Sequence, residues 1–212
     1  MWLKICGLIS ADGARSLAGL EIDAFGLNRY KPSPRYLTRK RAAELSRQIN
    51  RIDSSKMVVG VYVNAAVEVI NKDIEEIGLD AVQLHGDEPA DFLNKIKPTV
   101  KIIKAFRVGK DFNIEKLNDY NCWAYLLDAS VDGKYGGTGH LAPWNKIAGW
   151  TDRHRIILAG GLKPANIKEA LQIASPWGID LCSGVESEDG QKDIEAVMSV
   201  INQTKEQTGV KN

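Results

Sequence analysis

The chain has 212 residues, of which 28 are Lys or Arg and 27 are Asp or Glu, and its formal net charge is +1. The interspersed charges exclude a basic nucleic-acid surface, and no apolar segment is long enough to cross a membrane. Three scattered cysteines exclude both a disulfide framework and a cysteine-based metal site. Without a signal peptide, we expect one soluble, cytoplasmic domain that binds neither nucleic acid nor membrane.

Strand patterns and helix patterns alternate along the whole chain. The predicted strands lie at 1–6, 23–27, 57–63, 81–84, 100–106, 123–127, 155–159 and 178–182. Ser10 and Thr38 are predicted to cap the first two helices, which end at Leu20 and Ile49. The third helix ends near 77, and the fourth opens at Pro89, a favoured first-turn residue. The last four are predicted near 114–118 and 144–150, and at 164–174 and 193–203.

Eight strand–helix units in strict alternation predict a parallel sheet, and eight is the number that closes as a single (β/α)₈ TIM barrel. An open, doubly wound sheet is the alternative, although it usually has fewer units. We expect the barrel to occupy residues 1–203 and a polar tail, 204–212, to fray. Two long connections, 28–37 and 129–143, follow strand ends, and that edge of such a barrel carries the active site.

Two potentially reactive side chains stand at predicted strand ends. Cys6 ends the first strand before a glycine, and Asp128 follows the sixth strand. A free cysteine is usually a small buried hydrophobe, and a strand-end carboxylate can simply cap the next turn. In a closed eight-stranded barrel, however, strands one and six are three apart, so Cys6 and Asp128 can face each other across the mouth.

The seventh and eighth predicted strands end in glycine-rich turns. Gly160 and Gly161 follow one, and Ser183 and Gly184 follow the other. A phosphate site needs such turns, because backbone N–H groups must approach the oxygens closely and a side chain would block them. The alternative is that the glycines only close tight turns.

Nine short segments occur in an order shared with one known family: 4–7, 33–36, 59–64, 83–88, 103–107, 126–129, 136–139, 158–162 and 183–186. In these segments the chain resembles the phosphoribosylanthranilate isomerases of tryptophan biosynthesis. The resemblance implies an Amadori rearrangement of N-(5-phosphoribosyl)anthranilate to 1-(2-carboxyphenylamino)-1-deoxyribulose 5-phosphate, the third step from chorismate to tryptophan. It implies no cofactor and no metal, since only protons move, and one small phosphorylated substrate bound to a monomer or homodimer.

The resemblance also implies roles for individual residues. Cys6 is expected to act as the base and Asp128 as the acid, each against its usual ionisation near neutral pH. Arg35 is expected to hold the anthranilate carboxylate, because a guanidinium fork suits a planar carboxylate. Gln83 and His85 are expected near the sugar, although a structural histidine bonded to a backbone carbonyl is an open alternative. Gly136 and Gly137 would belong to a mobile loop, and Cys122 and Cys182 to the core.

Two other functions remain open. A dual-substrate isomerase of histidine and tryptophan synthesis uses two aspartates, so Cys6 argues against it. A non-catalytic barrel that binds phosphoribosyl ligands would not need the acid, the base and the carboxylate clamp together. The chain also departs from the family pattern at 28–29, 31–32 and 142–143, which we expect to affect loop packing and rate more than the type of reaction.

Lys4 lies two residues before Cys6 on the same strand, so both side chains point into the barrel. A buried ammonium needs a counter-charge. Asp180, two residues before Cys182 on the strand that closes the barrel, is the predicted partner. The alternative is that Lys4 extends to the lower rim along its flexible stem.

Overall fold

The computed structural model describes residues 1–109, 111–128, 144, 147, 149–188 and 190–208. Its strands are β1 (Trp2–Cys6), β2 (Ala24–Asn28), β3 (Met57–Tyr62), β4 (Ala81–Leu84), β5 (Lys101–Arg107), β6 (Ala124–Asp128), β7 (Ile156–Ala159) and β8 (Gly178–Leu181). They form a closed barrel in chain order, every pair is parallel, and β8 pairs with β1. The predicted (β/α)₈ barrel is confirmed.

The α-helices outside the barrel are α1 (Ala11–Leu17), α2 (Arg39–Ile52), α3 (Val67–Asp73), α4 (Ile167–Ala174) and α5 (Ile194–Thr208). A π-helical turn, Ile74–Gly78, directly continues α3. Short 3₁₀ helices follow β4, β5 and β8, at Ala90–Lys95, Ile114–Asp119 and Ser183–Val185. The predicted caps are confirmed, since the hydroxyls of Ser10 and Thr38 accept hydrogen bonds from backbone N–H groups one turn later. The helix predicted at 144–150 falls largely outside the described residues.

The last helix runs further than the sequence suggested. It continues to Thr208, so the predicted end of this helix at residue 203 is wrong. Gln203 donates to the carbonyl of Pro164 at 3.1 Å, and Lys205 pairs with Glu21 at 2.5 Å. These polar side chains extend the helix because they reach neighbouring segments of the barrel's outer layer. Residues 209–212 lie outside the described part.

The barrel interior is filled mainly by small and branched side chains. Its buried cluster consists of Ala24, Val59, Ala81, Ile103, Ala105, Ala124, Leu126, Ile157 and Ala159. Three tryptophans, Trp2, Trp123 and Trp177, pack against this cluster from the amino-terminal end with ring centroids 5.3–5.7 Å apart. Aromatic rings therefore plug the end of the barrel opposite the predicted site. Among the described residues, no helix is both long and apolar enough to span a membrane.

The seam between β1 and β8 contains an ion pair inside the barrel. Lys4 and Asp180 are register partners, and the Lys4 Nζ lies 2.7 Å from Asp180 Oδ1. Lys4 is fully buried, so the predicted pair is confirmed and the alternative position at the lower rim is wrong. Burial raises the pKa of Asp180 to about 7 even though the Lys4 ammonium acts in the opposite direction.

We predict that Lys4→Met destabilises the fold by roughly 3–5 kcal/mol, because it leaves the buried Asp180 carboxylate without its cation. Without Lys4 the pKa of Asp180 in the folded state rises further, so the variant loses stability relative to wild type as pH increases through and above 7. Urea unfolding should therefore show a larger loss at about pH 8 than at about pH 5.

The double variant Lys4→Met/Asp180→Asn is the matched control, because it removes both charges of the pair. It should recover part of the lost stability at the higher pH. A Lys4→Met variant with wild-type stability at both pH values would show that the ion pair does not hold the seam.

Candidate active site at the carboxyl ends of the strands

Cys6 ends β1 at the mouth of the barrel, above Lys4. Its register partner on β2 is Gly26, where an added Cβ would lie only 2.8 Å from the Cys6 sulfur. Any other residue at that position would therefore press on the thiol. The next residue, Gly7, has φ +76°, and a Cβ there would lie 2.3 Å from the Cδ of Arg35. Two glycines thus make room for the thiol and for the arginine, and the sequence carries no specific signal for the role of Gly26.

The surroundings of Cys6 favour a thiolate. A hydrogen bond from the Cys182 thiol, together with the positive charges of Lys4 and Lys192, holds the pKa of Cys6 well below its ordinary value although burial opposes this. The pKa of Cys182 moves upward for the complementary reason, so Cys182 keeps its proton and acts as the donor. The prediction that Cys182 is a core residue is wrong, because its side chain is only half-buried and, unlike that of Cys122, is not packed against the hydrophobic core of the described residues.

Cys122 provides a contrast within the same chain. It is half-buried, and burial raises its pKa to about 11. Its sulfur lies 3.3 Å from the carbonyl oxygen of Ala124. The low pKa of Cys6 is therefore a property of its position in the barrel and not of cysteine in this protein generally.

Asp128 ends β6 and connects to two polar residues on β4 and its following turn. Its Oδ2 lies 3.3 Å from His85 Nε2, and His85 Nδ1 lies 3.0 Å from the side-chain nitrogen of Gln83. If the Gln83 amide donates to Nδ1, the imidazole proton resides on Nε2 and faces the carboxylate. Gln83 is buried, and its Oε1 has no hydrogen-bond partner among the described residues. His85 thus faces the candidate acid, and not a backbone carbonyl.

The turn that carries His85 is built on a buried ion pair. Lys104 Nζ lies 2.8 Å from Glu88 Oε2 and donates to the carbonyl oxygen of Gly86 at 2.7 Å. Glu88 in turn accepts hydrogen bonds from the backbone N–H groups of Asn64 at 2.8 Å and Gly86 at 3.0 Å. Both charged side chains are 2% exposed, so this pair fixes the turn from behind without occupying the mouth.

Arg35 reaches the mouth from the long connection between β2 and α2. Its Nε donates to Glu186 Oε1 at 2.8 Å, and its Nη2 donates to Glu186 Oε2. Lys192 Nζ also contacts Glu186 Oε1, at 2.5 Å. These two cations lower the pKa of Glu186 although burial opposes them. Two N–H donors of Arg35, the residue predicted to bind a substrate carboxylate, are thus bonded to a carboxylate of the protein itself. The two residues are 151 positions apart in the sequence.

The glycine-rich turns after β7 and β8 touch each other. Gly160 and Gly161 have φ values of +93° and +66°, which favour glycine. An added Cβ on Gly184 would lie 1.9 Å from the carbonyl oxygen of Leu162, so only glycine fits between the two turns. Ser183 begins the 3₁₀ turn that contains Gly184. The four residues predicted for phosphate binding therefore lie in two adjoining turns.

Some predicted features cannot be placed relative to this site. The predicted loop glycines Gly136 and Gly137 fall outside the described residues, as does the departure from the family pattern at 142–143. Within the described residues, no group of three or more His, Cys, Asp or Glu side chains is arranged to hold a metal ion. The mouth does combine a thiol of low pKa, a carboxylate beside a histidine and an arginine. Such a set can take a proton from one side of a bound molecule, give a proton on another and hold an anionic group.

Comparison with known proteins agrees with this geometry. A family model for N-(5'phosphoribosyl)anthranilate (PRA) isomerase matches residues 3–203. The N-(5'-phosphoribosyl)anthranilate isomerase of Trichlorobacter lovleyi is 40% identical over 206 residues, which cover 96% of this chain and 98% of that protein. The crystal structure of the Thermotoga maritima enzyme is similar with a TM-score of 0.83 at 33% identity, covering 99% of this chain and 100% of that one.

A second solved structure holds a ligand. It is a phosphoribosyl anthranilate isomerase in complex with reduced 1-(o-carboxyphenylamino)-1-deoxyribulose 5-phosphate. Its TM-score is 0.79 at 32% identity, covering 99% of this chain and 100% of that one. The matches extend over the whole barrel and include the strand ends that carry Cys6 and Asp128. The chain belongs to the N-(5'-phosphoribosyl)anthranilate isomerase family.

Proposed function

We propose that this chain catalyses the Amadori rearrangement of N-(5'-phosphoribosyl)anthranilate to 1-(2-carboxyphenylamino)-1-deoxyribulose 5-phosphate in tryptophan biosynthesis. The observation that carries the proposal is the Cys6 thiol, whose pKa is lowered at the end of β1, in the same barrel mouth as Asp128. A relative of the same fold binds a reduced form of this product. The direct test is loss of substrate fluorescence when the purified chain is added.

The proposed reaction needs one acid and one base. Asp128 donates a proton to the ring oxygen of the furanose, which opens to a Schiff base at C1. The Cys6 thiolate then removes the proton from C2, and the electron pair of that bond moves to give an enaminol. Protonation at C1 and loss of the hydroxyl proton yield the ketone, so no electrons leave the substrate. His85, next to Asp128, is placed to orient the carboxyl group and to exchange its proton.

The two anionic ends of the substrate have separate binding sites in this proposal. The anthranilate carboxylate binds Arg35 in competition with Glu186, which Lys192 continues to neutralise. The phosphate binds the backbone of the adjoining turns that contain Gly160, Gly161, Ser183 and Gly184. With both ends held, the sugar lies between Cys6 and Asp128, near His85. Gln83 then acts through His85, since it is buried beneath it.

All proposed site residues come from one barrel, which suits either a monomer or a homodimer. A biosynthetic enzyme for a small phosphorylated metabolite fits the cytoplasm, which we propose as its location. A second candidate function is conversion of the histidine-pathway aminoaldose as well, and turnover of that compound by the purified chain would reveal it. Binding of the product analogue without turnover of either substrate would instead indicate a non-catalytic barrel.

We predict that Cys6→Ser and Asp128→Asn each lower kcat by roughly 10²–10⁴-fold, the usual contribution of a general acid or base. The dissociation constant of the product should change far less, because neither side chain holds the carboxylate or the phosphate. Steady-state kinetics and calorimetry measure the two effects, with Cys122→Ser as the matched control. Near wild-type kcat in either variant would contradict the assigned role.

Arg35→Met is expected to raise KM by roughly tenfold to a hundredfold, because a lost charge-assisted contact costs about 1.5–3 kcal/mol. Glu186 would also repel the substrate carboxylate once its arginine partner is gone. An inhibitor that lacks the ring carboxylate should bind the variant and the wild type equally. An equal loss of affinity for both ligands would show that Arg35 does not bind the carboxylate.

The hydrogen bond from Cys182 generates a pH prediction. Because it lowers the pKa of Cys6, Cys182→Ala should raise that pKa, and the acidic limb of the kcat/KM profile should move to higher pH. Cys182→Ser keeps a donor and should lie closer to wild type. Alkylation of Cys6 followed against pH by mass spectrometry gives an independent reading, with Cys122 as the internal reference. Identical profiles for the alanine and wild-type proteins would exclude this role.

A further inference from the structure

Arg29 lies at the start of the loop that carries Arg35, and its side chain is largely enclosed. Only 8% of its side chain is exposed. Its Nε donates to Asp73 Oδ2 at 2.8 Å, and its Nη1 donates to the main-chain carbonyl of Leu37. One guanidinium therefore connects the first residues of the loop with its last residues and with a carboxylate at the end of α3.

Asp73 is a fully buried carboxylate with partners from three other segments. Besides Arg29, its oxygens accept hydrogen bonds from the Tyr62 hydroxyl at 3.1 Å and from the Arg39 guanidinium. Tyr62 ends β3, and Arg39 is the first residue of α2, which follows the loop. Because a buried carboxylate is costly without such partners, the arrangement in which Asp73 keeps all three contacts is favoured.

The loop itself is closed at its base. The Leu37 N–H donates to the carbonyl of Asn28 at 2.9 Å, and the Arg29 guanidinium lies 5.6 Å from the centre of the Tyr36 ring. Between these residues the chain turns back, and Ser33 Oγ accepts a hydrogen bond from the Arg35 N–H at 3.2 Å. The position of the Arg35 guanidinium over Gly7 therefore depends on a loop whose two ends are held by Arg29.

We propose that Arg29, held by Asp73, is a positioning residue that sets Arg35 in place for the carboxylate of the substrate. Arg29 does not contact the mouth in this role. It acts through Arg35 by keeping the two ends of the 28–37 loop together. The proposal rests on the proposed function, because it concerns the clamp for the anthranilate carboxylate.

The sharpest test is a double-mutant cycle with Arg29→Met and Arg35→Met. Arg29→Met keeps most of the apolar stem and removes the guanidinium, so it should raise KM by roughly five- to twentyfold with kcat within about twofold of wild type. If Arg29 acts through Arg35, Arg29→Met should raise the KM of the Arg35→Met variant by less than about a further twofold. Independent, additive effects of the two substitutions would overturn the proposal.

Two controls separate positioning from simple loss of stability. Arg41→Met removes an exposed arginine of α2 that pairs only loosely with Glu44, at 3.4 Å, and should leave KM unchanged. Arg29→Lys keeps the positive charge without the fork and should recover part of the wild-type KM. It also serves as the second variant if Arg29→Met does not fold. If Arg29→Lys folds and its KM equals that of the wild type, the guanidinium fork is not needed to position Arg35, and the proposal is overturned.

Hydrogen exchange tests the anchor without any assay of activity. In Arg29→Met, amide exchange should accelerate at residues 28–37 and remain unchanged in β5 and β6. Uniform acceleration over the barrel, or none in the loop, would contradict the anchoring role. If the wild-type chain does not turn over phosphoribosylanthranilate, the proposed function fails, whereas the exchange result still shows whether Arg29 holds the loop.

Discussion

The ammonium of Lys4 lies inside the barrel, and both the closed sheet and the candidate base depend on it. Its Nζ is 2.7 Å from Asp180 across the β1–β8 seam, and it contributes positive charge to Cys6 on the same strand. A buried ammonium is stable only beside a carboxylate, so the pair that closes the barrel also supplies charge under the thiol. The requirement to pair one lysine therefore connects the stability of the fold with the chemistry at its mouth.

The mouth contains an internal carboxylate where a substrate carboxylate is expected. Glu186 accepts hydrogen bonds from both Arg35 and Lys192, so two positive charges surround one negative charge. The surplus charge suits an anionic ligand, and Glu186 holds the guanidinium of Arg35 in the mouth. In the proposed function, part of the cost of ordering this long side chain is met by Glu186, and binding is an exchange of carboxylates around Arg35.

Buried ion pairs also hold the loops around the mouth. Lys104 and Glu88 fix the turn that carries His85, and Arg29 and Asp73 connect the ends of the loop that carries Arg35. Both pairs lie outside the barrel wall, in the layer between strands and helices. Charged groups in this layer are directional, since each must meet particular donors and acceptors, whereas apolar packing alone would allow the loops to shift. Polar side chains outside the barrel thus determine geometry inside its mouth.

The sequence by itself determined the architecture and the positions of the side chains that are proposed to react. Alternating strand and helix patterns predicted the barrel because eight parallel units leave few other ways to bury their apolar faces. Strand ends placed Cys6 and Asp128 at one edge, and strand alternation combined with the need to neutralise a buried charge predicted Lys4 with Asp180. These inferences succeed because periodicity and charge burial act locally or between neighbouring strands.

Only the tertiary structure decided the partners that are distant in sequence. Nothing in the local pattern joins Arg35 to Glu186, Arg29 to Asp73, or the Cys182 thiol to Cys6. The extension of α5 to Thr208 likewise depends on contacts with other segments of the barrel, which composition cannot reveal. Side-chain partners of this kind follow from how loops and outer helices pack after the barrel closes, so the sequence names the reactive groups and the folded chain determines their charges and positions.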